Sequence, residues 1–143
     1  MNEVNLLKAA YYLYTQVPAE IFDMQVYRMN NSLKNKYCRT VGCAMGHLTA
    51  IIPEDKILRD NNKRIFFLYT GKQALDINSN QYSFLFSGYY ANLDNSIKGA
   101  CQRILYLLTS KRPNLDVKSN HPYKKINVLK TYNKLKKIYE KSS

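Results

Sequence analysis

Cys38, Cys43 and His47 are the residues whose types and spacing could make or break bonds. Two soft ligands and an imidazole stand in one short run, with Cys43 and His47 one helical turn apart. Cys101 or His121 could supply a fourth zinc ligand, although the run as a whole matches no standard zinc knuckle or ribbon. The same residues could serve a thiol enzyme. Cys38 lies just before Thr40, a plausible helix cap, and a helix amino end lowers a thiol pKa. Free amides near Thr40–Cys43 could act as oxyanion donors, but no orienting Asp or Asn can be identified. No Gly-x-Ser-x-Gly, phosphate loop or dinucleotide fingerprint occurs. The close carboxylate pairs, Glu20/Asp23 and Glu54/Asp55, each sit by a proline, where helix caps are expected. Without a complete catalytic constellation the reading is non-enzymatic, with no cofactor, and Cys43 and Cys101 are read as small core side chains.

Charge is the stronger signal. The chain of 143 residues has 22 Lys+Arg against 10 Asp+Glu, a formal net charge of +12. Residues 1–110 hold twelve basic and eight acidic side chains, and residues 111–143 hold ten and two. Most of the excess therefore sits in the last 33 residues, which points to a polyanionic partner. Lys130, Lys134, Lys137 and Lys141 recur at helical steps on one face, and Lys124 and Lys125 precede them. Tyr123 and Tyr132 are interleaved with these lysines as candidate stacking rings. Arg28, Lys34, Lys36 and Arg39 form a second basic cluster. Lysine predominates, which suits phosphate contact better than base reading.

The elements that must position these groups read as helices. A helix is expected over 3–16, with Val4, Leu7, Tyr11 and Tyr14 as its apolar stripe and Leu6, Ala10 and Leu13 beside it. A second runs over 41–52 from the Thr40 cap, and its glycines and apolar residues on both sides make it the expected centre of the core. Segments 64–69 and 82–86 are short and apolar and could form a two-stranded ribbon, with Gly71 as punctuation. The clearest helix spans about 95–110, capped by Asp94 or Asn95. Ile97, Cys101, Ile104 and Leu108 face its core, while Lys98, Gln102, Arg103 and Tyr106 point away. Residues 111–123 read as a linker, and a basic helix over about 124–141 presents Val128, Tyr132, Leu135 and Tyr139 on its apolar stripe.

Phe22-Asp23-Met24 followed by Cys38-Arg39-Thr40-Val41-Gly42-Cys43-Ala44-Met45-Gly46-His47 resembles a pattern in small uncharacterised proteins of phages and bacteria. Those proteins resemble Phe-Asp-Met, a variable loop, then Cys-Gly-Thr-x-x-Cys-x-x-Gly-His/Trp; Arg39 stands here where the pattern has Gly. The resemblance covers about residues 18–108 and implies a phage-like origin, with no activity attached.

The expectation is thus a mainly α protein: a compact helical core domain over 1–110, a linker over 111–123 and a basic C-terminal helix over 124–143. Its expected partner is nucleic acid, DNA or RNA, held largely nonspecifically. The alternatives are a phage-encoded modulator gripping an acidic surface of a host or defence protein, and a thiol or zinc protein using Cys38, Cys43 and His47. An odd number of cysteines, three, reads as reduced thiols in a cytoplasmic setting. No apolar run is long enough for a membrane span, and the tail's apolar face lacks the Phe and Trp of a membrane-surface helix.

Overall fold

The structure, a computed structural model, describes residues 1–18, 44–86, 96–116 and 121–142. Its helices are α1 (Glu3–Gln16), α2 (Ala44–Leu48), α3 (Phe67–Leu75), α4 (Ser79–Phe86), α5 (Ile97–Thr109) and α6 (Val128–Ser142). Among the described residues two 3-10 turns, Glu54–Lys56 and Pro122–Lys125, accompany these helices in a small, mainly α protein.

α1 begins where Asn2 accepts a hydrogen bond from the Asn5 amide at 3.0 Å. Only part of its expected stripe is buried. Leu6, Leu7, Ala9, Ala10 and Leu13 are buried, whereas Val4, Tyr11 and Tyr14 are exposed. The small Ala9 and Ala10 let α5 come close, and the Cys101 thiol donates to the Ala10 carbonyl at 3.5 Å. Periodicity located the helix; the neighbours chose which of two overlapping stripes to cover.

α5, and not the 41–52 segment, is the centre of the molecule. Ser96 caps it, accepting from the Gly99 amide at 3.1 Å. The expected caps Asp94 and Asn95 lie outside the described residues. Every residue from Gly99 to Leu107 is buried, because α1, α4, α6 and the second 3-10 turn enclose the helix. Gln102, Arg103 and Tyr106, expected to point outward, are therefore interior; of the four residues assigned to that face only Lys98 is exposed. Arg103 lies with its guanidinium 5.7 Å from the Tyr123 ring centroid and donates to the Leu85 carbonyl at 3.4 Å.

The helical part of the 41–52 segment that is described is only Ala44–Leu48, after which bonds from Ala50 to His47 and from Ile51 to Leu48 tighten the chain into a turn. Residues 44–50 are all buried, against α1 and α3.

The expected ribbon is absent among the described residues. Segments 64–69 and 82–86 fall largely in α3 and α4, and one antiparallel bridge, Arg59 to Ile65, is the only pairing there. α4 starts on a reciprocal capping box: Asn78 Oδ1 accepts from the Gln81 amide at 2.8 Å, and Gln81 Oε1 accepts from the Asn78 amide at 2.9 Å. Gly71 does not interrupt the chain but sits buried inside α3. A Cβ there would lie 2.7 Å from Tyr82 Cε2 and 2.9 Å from Met45 Sδ. Gly71→Ala should therefore lower stability by about 1–2 kcal/mol, since overpacking outweighs the gain in helix propensity. Urea denaturation checks this; a variant as stable as the wild type would mean that Tyr82 and Met45 step aside freely.

The stretch expected to be a linker is tied into the core at its far end. His121 and Tyr123 are buried, and Tyr106 Oη accepts from the Asn114 amide at 2.9 Å. His121 Nδ1 accepts from the Tyr123 amide at 3.4 Å, so Nε2 carries the proton and donates to the Asn114 carbonyl at 2.6 Å. Phe84, Tyr106, His121 and Tyr123 form one aromatic cluster, with ring centroids 5.0–6.0 Å apart. α6 then packs antiparallel on α1: Tyr132 stacks on Tyr11 at 5.1 Å, and Tyr139 lies beside Glu3 near the other end. Burial, then the Glu3 carboxylate, raises the Tyr139 pKa. Among the described residues no helix is long and apolar enough to cross a membrane.

Candidate nucleic-acid interface

α6 has two opposite faces. Val128 and Leu135 are buried, with Tyr132 and Tyr139 half-buried beside them, as the stripe predicted. Lys130, Lys134, Lys137 and Lys141 are all exposed on the other side. Asn127 starts the helix by accepting from the Lys130 amide at 3.0 Å, so the first lysine of the row is held in register from the first turn. From Lys130 to Lys141 the row covers roughly 16 Å at the standard helical rise. Among the described residues none of these four has a carboxylate in ion-pair range; the one pair on the helix, Lys136 with Glu140 at 3.9 Å, lies off the row. Four ammonium groups thus stand exposed on one face without a carboxylate partner among the described residues.

Lys124 and Lys125 lie in the second 3-10 turn, also exposed, just before the row. With Lys98 of α5 they border a cleft of about 390 Å³ floored by Gln102. Gln102 Nε2 donates to the carbonyls of Lys124 at 3.2 Å and Ile126 at 2.9 Å, which pins the turn against α5. Lys98, Gln102 and Asn127 are not among the binding residues expected from sequence, because their meeting depends on how the turn folds back onto α5.

The stacking candidates change. Tyr123 is fully buried beneath Arg103 and Phe84, so its ring faces no solvent and is withdrawn as a stacking platform. Its place after Pro122 is a core-anchoring one. One face of Tyr132 is covered by Tyr11, which is itself 46% exposed. Arg28, Lys34, Lys36 and Arg39 lie outside the described residues, as do Cys38 and Cys43.

His47 is buried in α2, and His121 serves as a turn cap within the aromatic cluster. Among the described residues no three His, Cys, Asp or Glu side chains converge as a metal site would need. A larger cavity, of about 720 Å³, opens between α1, residues 48–53 and the end of α3; among the described residues its lining includes Lys8 and Lys56 but no His, Cys, Asp or Glu. Cys101 is deeply buried, and burial pushes its thiol up to about 12. The unfolded thiol, at 9.0, ionises first, so the stability that this proton lends is whole below pH 9 and is lost as pH rises towards 12. Native protein at pH 8 should leave Cys101 unmodified by iodoacetamide, and denatured protein should not. Peptide mapping reads the result, and alkylation at native pH would mean that α5 opens readily from α1.

Comparisons with protein-family models, with curated proteins and with solved structures each find no match to this chain.

Proposed function

We propose that this protein binds nucleic acid, DNA or RNA, largely without regard to sequence, through the basic face of α6. One observation carries the reading: four exposed lysines without carboxylate partners among the described residues share one face of a helix whose other face is anchored in the core. A row fixed in this way loses little freedom on meeting a line of phosphates, and each contact releases condensed counterions. Lysine makes point contacts to phosphate and does not read base edges in the bidentate way of arginine. The test is fluorescence anisotropy with mixed-sequence duplex DNA, single-stranded DNA and RNA over a salt series. Binding to at least one polymer at low salt, weakening steeply as salt rises, supports the reading; no binding to any polymer ends it.

A second reading, a phage-type modulator that grips a host or defence protein, is favoured by a separate feature. Leu58, Phe66, Leu68 and Tyr69 are all exposed, Phe66 meets Tyr69 edge to face at 5.9 Å, and the Phe66 amide bonds to the Leu58 carbonyl at 2.8 Å. Exposed aromatics with neighbouring Lys63 and Arg64 suit an acidic protein surface with an apolar centre. Capture of one bacterial protein that survives nuclease treatment, and that is lost in Tyr69→Glu, separates this reading from the first.

A further inference from the structure

The row on α6 and the cleft at its start present charge differently. Along the helix the ammonium groups are strung out, which suits successive phosphodiesters carrying one charge each. At the cleft three lysines, Lys98, Lys124 and Lys125, line one concavity of about 390 Å³. Among the described residues no carboxylate lines it. Nor does any of the three lysines pair with a carboxylate among the described residues. The lysines come from two elements, and the clamp from Gln102 to the Lys124 and Ile126 carbonyls holds those elements together. Three like charges held around one hollow repel each other, and the repulsion is relieved most by an anion of more than one charge.

We propose that this cleft is the seat of a terminal phosphomonoester, so that the protein prefers nucleic acid strands that end in phosphate. The inference rests on the nucleic-acid reading above and adds a preference within it. A phosphomonoester carries nearly two negative charges at neutral pH and three acceptor oxygens, whereas an internal phosphodiester carries one charge and has chain on both sides. The cleft opens beside Leu129, one residue before Lys130, so a strand whose end sits there can continue along the lysine row.

The experiment compares single-stranded oligonucleotides of one sequence bearing a 5′ phosphate, a 3′ phosphate or hydroxyls at both ends, by anisotropy with the full chain. At least one phosphorylated oligonucleotide should bind about tenfold more tightly than the hydroxyl form, the size expected for additional hydrogen bonds to a charged group. Lys98→Gln, and separately Lys124→Gln with Lys125→Gln, should bring that ratio to one with the thermal midpoint unchanged. Changing Lys130, Lys134 and Lys137 should weaken every oligonucleotide and leave the ratio in place. Equal binding of all three oligonucleotides overturns the terminal seat while leaving the nucleic-acid reading standing. A ratio that survives both cleft variants moves the preference elsewhere and overturns the assignment. No binding by any of them overturns both.

Discussion

Replacing Lys130, Lys134 and Lys137 together with glutamate is expected to weaken binding to duplex DNA by a factor on the order of 10²–10³ at 0.1 M salt. The magnitude follows from counterion release. Each duplex phosphate contact contributes about 0.9 to the slope of log affinity against log salt, so three lost contacts flatten the slope by roughly 2.7. At 0.1 M salt that change alone is roughly 500-fold, and the repulsion of three new carboxylates adds to it. All three positions are exposed on the face of α6 that points away from Val128 and Leu135, so the fold should tolerate the change. The same positions changed to glutamine should flatten the slope equally while losing less affinity, because the contacts vanish without repulsion. A salt series on both variants, with circular dichroism to confirm the helices, reads the result. An unchanged slope would mean that α6 does not lie along the polymer.

The second large effect is on stability. Tyr123→Ala should destabilise the protein by about 3–5 kcal/mol, the range for removing a large buried aromatic side chain. Its ring is fully buried, packs edge-on to Phe84, and lies under the Arg103 guanidinium. It also belongs to the aromatic cluster that ties residues 121–125 to α4 and α5. The thermal midpoint should fall by roughly 10–20 °C. Amide exchange should quicken first in α6, whose start is reached through that turn. At a temperature where the variant is folded it should still bind nucleic acid. An exposed stacking ring would give the opposite pattern, with binding lost and stability kept, so thermal melts and anisotropy on this one variant distinguish the two roles.

How far the sequence could be read depends on the residue. α1, α5 and α6 were legible because each pairs a strong helical period with a local cap or break, and both are properties of neighbours in the chain. The α6 face was legible in full, since lysines and apolar residues alternate there with no competing stripe. α4 carried a local signal that the apolar run obscured: the Asn78–Gln81 capping box, three residues apart, marks a helix start where periodicity leaves strand and helix open.

Other features have no local signal. Whether α1 buries Leu6 and Ala10 or Tyr11 and Tyr14 depends on the helix that comes to rest on it, and α5 rests on the side that carries the small residues. Gln102 and Arg103 look like surface residues in a helical pattern, yet α4 and the second 3-10 turn pack against their helix, and the carbonyls of Leu85, Lys124 and Ile126 accept from them. Tyr123 sits among lysines in the chain and among aromatic rings in space. Helical period and net charge come from near neighbours along the chain and survive any fold. Which face is covered, which polar side chain is enclosed and which lysines share a hollow come from contacts between distant segments, where close packing selects one arrangement among several that local preference allows.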